Sequence, residues 1–104
     1  AGSNILFMSG QVGRTLPAGD LLPDFEGQIR QTFVNIKAVL DDAGMDLTNI
    51  VKMTTYLTDR NNLAAMREIR KEILGGHKPA HTLVIVAGLA FEDYLIEVDC
   101  TAAA

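Results

Sequence analysis

The chain has 104 residues, enough for one domain, with 48% hydrophobic and 21% charged side chains, a balance that argues against disorder and permits a buried core. Its formal charge of -4, with nine Lys and Arg dispersed among thirteen Asp and Glu, provides no basic stripe to displace counterions from a phosphate backbone, so no nucleic-acid partner is expected. The single cysteine, Cys100, cannot close an internal disulfide, and no apolar run approaches the ~20 residues of a bilayer span, so the expectation is a cytoplasmic protein with no membrane partner.

The first run, Asn4 to Val12, is apolar and reads as a strand, with Ser9-Gly10-Gln11 suggesting a bulge or a close backbone approach near its end. Because this strand begins almost at once, a preceding segment of the natural protein is expected to be missing. Gly13 to Leu22, with Pro17 and Gly19, reads as a loop. Pro23 suits a first helical turn, Asp24 and Glu26 suit its dipole, and Phe25, Ile29, Phe33, Ile36 and Leu40 recur at three- and four-residue steps up to a stop near Gly44. Ile50 to Thr58 is β-branched and aromatic and predicts a strand, with Val51, Met53 and Leu57 on one side and Ile50 and Tyr56 on the other. Asp59, Asn61 and Asn62 offer caps for a second helix whose buried face is Leu63, Met66, Ile69 or Arg70, and Ile73, ending at Gly75-Gly76. Thr82 to Val86 and Tyr94 to Thr101 then read as closing strands around a loop at Gly88 to Asp93, and the strand count is taken as five.

The strand Leu83-Val84-Ile85-Val86 is apolar at consecutive positions and asks for burial on both sheet faces, while two helices cover only one. Other subunits are the expected cover, in preference to a closed single-chain barrel.

Five segments in order carry a resemblance: Leu6 to Gln11, Asn35 to Gly44, Ile50 to Asp59, Lys78-Pro79-Ala80, and Tyr94 to Asp99. Together they make the whole chain, residues 1–104, resemble a single domain of the YjgF/RidA family of reactive-intermediate deaminases, also called the L-PSP family. The resemblance implies an α+β, chorismate-mutase-like mixed sheet with two helices packed on one face, assembled as a homotrimer with small carboxylates bound in clefts between subunits. It implies hydrolysis of enamines or imines, such as 2-aminoacrylate, to 2-oxo acids and ammonia, with no metal and no cofactor. The family's amino-terminal segment, which carries a cleft tyrosine, has no counterpart in this chain.

In the family an arginine directly after Pro-Ala holds the substrate carboxylate through a bidentate fork. Here that position is His81. The family's water-orienting glutamate matches Glu97, and its cleft serine and glycine match Ser9 and Gly10. The expected catalytic pair is therefore Glu97 and His81, with Ser9, Gly10, His81 and Arg14 as substrate-binding residues, Arg14 as a substitute cation in the loop after the first strand. As an imidazolium His81 could pair with a carboxylate; as a neutral ring it could exchange a proton. No His or Asp stands near Ser9 in sequence to activate it as a nucleophile, which leaves it a positioning role. His77 and His81 do not share a helical face, because Gly75-Gly76 ends the helix and Pro79 intervenes, so no metal site is expected. Cys100 and the methionines read as core filler. With histidine in place of the arginine, the reading is a small-carboxylate binder with imine or enamine hydrolysis as the implied reaction. The alternatives are a non-catalytic metabolite sensor and, against the acidic charge, an endoribonuclease.

Overall fold

Period-two burial along the β-branched runs makes four strands, and three-to-four residue apolar spacing makes two helices, in the computed structural model, which describes residues 4–104. The elements are β1 (Ile5–Gln11), α1 (Phe25–Asp42), β2 (Ile50–Leu57), α2 (Leu63–Leu74), β3 (Ala80–Ile85) and β4 (Ile96–Ala103), with short 3-10 turns at Leu47–Asn49 and Arg60–Asn62. The sheet is mixed, in the order β1-β4-β2-β3. β4 runs antiparallel to both its neighbours, whereas β2 and β3 are parallel because α2 carries the chain back across the sheet between them. The fold is thus α+β, with both helices on one face.

Three sequence expectations change. Among the described residues there are four strands, not five: each of the four apolar runs makes one strand, and Tyr94 and Leu95 stay outside β4. The Leu95 N–H is taken by the Gln28 side chain at 2.9 Å instead of by a neighbouring strand. β3 starts at Ala80, two residues earlier than its β-branched run suggests, so His81 lies within a strand, opposite Met53. Finally, the pairing of β2 with β4 slips between Ile50 and Lys52, which turns Ile50 into the core and leaves Val51 half exposed, the reverse of simple alternation.

Helix α1 begins at Phe25, two residues later than Pro23 suggests. Asp24 caps it, its carboxylate accepting from the Gly27 N–H at 2.7 Å, and Gly44 at φ 72° lets the chain turn away at the far end. Ile29, Phe33, Ile36 and Leu40 from α1 and Met66 and Ile69 from α2 meet Met8, Ile50, Met53, Leu57, Ile96, Val98 and Cys100 from the sheet, all buried. The opposite sheet face meets nothing among the described residues: Phe7 is 78% exposed and Ile5 61%. No helix of the described residues is long and apolar enough to cross a membrane.

Candidate functional site

The expected site residues divide between the two faces of the sheet. His81 pairs in register with Met53, and its neighbours Thr55 and Leu83 share that side, so the imidazole points toward the helices. Glu97 pairs with Tyr56 and points to the open face. Burial follows the same division: along β4, Ile96, Val98 and Cys100 are buried, and Glu97 and Asp99 between them are only partly covered.

On the helix side, His81 borders a cavity of about 430 Å³ between α2 and the start of β3. Met53 and Pro79 form apolar wall, and Arg67, Arg70, Lys71 and Lys78 surround it with positive charge. Glu68 is the carboxylate in this lining. Arg70 is half-buried, and its Nη1–H donates to His81 Nδ1 at 2.5 Å. A guanidinium has only donors, so Nδ1 must be the unprotonated ring nitrogen and Nε2–H donates to the Thr55 hydroxyl at 2.8 Å. Burial, then the nearby charges of Arg70, Lys52 and Arg67, push the imidazole pKa down to about 4. His81 is therefore a neutral acceptor near pH 7, and an imidazolium reaching for a carboxylate is not the form this environment supports. His77 donates from Nε2 to the Ile50 carbonyl at 2.7 Å, so this ring, too, is bonded to the protein.

On the open side, the pairing of β1 with β4 is irregular between Met8 and Gln11, where Ser9 and Gly10 face the single residue Asp99, and Gly10 lies against Glu97. The contact with Gly10 is close enough that a Cβ there would stand 2.3 Å from Glu97 Oε2, so glycine is what allows the carboxylate to lie against this backbone. Burial, followed by the charge of Asp99, raises the Glu97 pKa, which makes it a better proton acceptor than a free carboxylate. Asp99 in turn accepts from the Tyr56 hydroxyl at 3.2 Å.

Arg14 stands apart from both groups in its bonding. Its Nε donates to the Tyr94 hydroxyl at 2.7 Å and its Nη1 to the Gly19 carbonyl at 2.6 Å, with the guanidinium 5.2 Å from the Tyr94 ring centroid. These bonds tie the loop between β1 and α1 to the segment before β4.

Sequence reading left Arg70 as an alternative to Ile69 for a core position. The signal was present: Leu63, Met66, Arg70 and Ile73 follow helical steps, so the stripe that should be apolar carries a cation.

Comparison with known proteins agrees with this architecture. A family model described as endoribonuclease L-PSP matches residues 2–104. A RutC family protein of Pyrococcus horikoshii is 40% identical over 100 residues, covering 95% of this chain and 79% of its own length. The rat protein named 2-iminobutanoate/2-iminopropanoate deaminase is 35% identical over 85 residues, covering 81% of this chain and 62% of its own. The crystal structure of Escherichia coli TdcF with bound serine superposes with a TM-score of 0.90 at 31% identity, covering 96% of this chain and 80% of that one.

Proposed function

The chain belongs to the YjgF/RidA family, and on that footing we propose that it binds a small carboxylate-bearing metabolite in clefts between the subunits of a homotrimer and hydrolyses an enamine or imine there. The observation that carries this reading is the division of polar groups between opposite sheet faces. A cationic, partly apolar cavity beside His81 suits the carboxylate end of a small ligand, while Glu97 against Gly10 suits proton transfer to and from water. The sheet lies between them within one chain, so a single site needs the cavity of one subunit and the Ser9-Gly10-Glu97 edge of another. The uncovered open face, with Ile5 and Phe7 exposed, supports such an assembly.

In the proposed reaction an enamine first takes a proton at carbon to become the imine. Water then adds to the carbon of the C=N bond, and its proton passes to Glu97. Return of that proton to the nitrogen gives the carbinolamine, whose hydroxyl proton Glu97 then takes and delivers to the nitrogen as the C–N bond breaks, and the products are a 2-oxo acid and ammonia. The raised Glu97 pKa favours both halves of the exchange. Relatives named as deaminases, and a relative crystallised with serine, support this substrate class.

The test is ammonia release from freshly generated 2-aminoacrylate. The wild type is expected to accelerate it, and Glu97→Gln to lose about 100-fold or more, the usual contribution of general acid–base catalysis. Ammonia release at the spontaneous rate by a wild type that still binds 2-oxobutanoate would replace this reading with that of a non-catalytic metabolite-binding member of the family. The histidine at position 81 favours that alternative. His81→Arg, run in the same assay, separates the two, since activity gained only by that variant would mean that the histidine had disabled the reaction.

A further inference from the structure

Arg70 is a half-buried cation in an unusual position. It lies on the packed stripe of α2, borders the cavity, and has no carboxylate within ion-pair distance among the described residues. Glu68, in the same lining, is exposed and does not pair with it. One of the five guanidinium N–H groups is used on His81, and none of the others meets a protein acceptor among the described residues. Partial burial of an unpaired guanidinium is unfavourable, and an anion in the cavity would relieve it. The Arg70 pKa is lowered, first by burial and then by Arg67, which reflects the same unmet demand for negative charge.

The neighbouring groups account for the orientation. The Thr55 side chain is buried on the helix side of the sheet and accepts a hydrogen bond from His81 Nε2–H, which fixes the ring and its tautomer. The unprotonated Nδ1 then holds one edge of the guanidinium and leaves the other donors for a ligand. We propose that Arg70 is the carboxylate-binding residue of this chain, and that His81 is the positioning residue that orients its guanidinium. A planar fork is thereby restored to the cleft from helix α2, although the strand position after Pro79-Ala80 holds no arginine. This assignment rests on the carboxylate-binding reading above and names the residue responsible for it.

The experiment is calorimetric titration of 2-oxobutanoate, the product expected from a 2-imino acid, into the wild type and four variants. Arg70→Ala and Arg70→Lys are each expected to weaken binding by about tenfold or more, since neither supplies a fork. Lysine keeps the charge and the aliphatic stem, so that variant remains folded and separates fork from charge. His81→Asn places an amide oxygen near the Nδ1 position and is expected to stay within about threefold of the wild type. His81→Gln places its amide near Nε2 instead and is expected to lose binding as the arginine variants do. Rescue by asparagine but not by glutamine is a pattern that a merely space-filling histidine would not produce. Equal affinity in the wild type and Arg70→Ala would overturn the assignment and leave the function intact. Absence of binding by the wild type at millimolar ligand would overturn both.

Discussion

At the scale of single residues, His81 shows how a tautomer follows from its partners. Arg70 can only donate, so the ring must accept at Nδ1, and the same contact makes protonation unfavourable. Burial, with Arg70 and Arg67 from α2 and Lys52 from β2, holds the folded pKa at about 4, below the ordinary 6.5. Between those values the unfolded chain takes up a proton that the folded chain refuses. The contribution of His81 to stability is therefore whole above pH 6.5, falls as the pH drops toward 4, and is constant below it. In urea unfolding at pH 7 and at about pH 4.5, the wild type is expected to lose more stability on acidification than His81→Asn, whose side chain does not titrate. Equal losses would mean that the imidazole is not held neutral. The place of His81, directly after Lys78-Pro79-Ala80, was legible in the sequence. Its partnership with Arg70 was not, because the spacing of 11 residues crosses a helix end and a loop whose path no local pattern describes.

Among the elements, α1 carries polar side chains on its buried face that hold loops in place. Gln28 is 1% exposed, and all its bonding groups are engaged: its amide N–H groups donate to the Leu22 and Asp93 carbonyls, each at 3.0 Å, and its carbonyl accepts from Leu95. Asn35 does the same one helical stretch later, donating to the Val12 and Arg14 carbonyls at 3.0 and 2.8 Å. Gly13 lies against Gln28, where a Cβ would stand 2.5 Å from the Gln28 Cα. Gln28→Leu keeps the volume and removes every bond, leaving one N–H and two carbonyls without their partner. It is expected to cost about 2–4 kcal/mol, read from the denaturant midpoint at an unchanged slope. A loss below about 0.5 kcal/mol would show that water replaces the amide at no cost. Helix spacing in the sequence located α1 and its apolar residues. It did not mark Gln28 or Asn35 as buried, because a polar residue beside an apolar stripe is ordinarily solvated, and only the loops crossing above the helix make these two exceptions.

For the molecule as a whole, the apolar residues outnumber what two helices can cover. Ile5, Phe7 and Val51 remain at least half exposed on or beside the open sheet face. Light scattering is expected to give a mass of about three times the 11.2 kDa chain, and Phe7→Glu to shift it toward the monomer. A monomeric wild type would remove both the assembly and the shared cleft. The charge distribution shows a second property of the whole. Nine Lys and Arg dispersed along the sequence look evenly diluted, yet Arg67, Arg70, Lys71 and Lys78 gather around one cavity because α2 and the segment leading into β3 border it together. The sequence by itself determined the two helices, the strand runs, the family and the excess of apolar surface, since these depend on periodicity and local text. Tertiary structure decided which face each polar residue joined. Alternation says that neighbours on a strand point opposite ways, but the side that meets the helices is set by packing, and a single slip in pairing, as at Ile50 and Val51, reverses it. For that reason His81 and Glu97, read as one polar centre, stand on opposite faces of one sheet, and Arg70 from the helix stands next to the histidine.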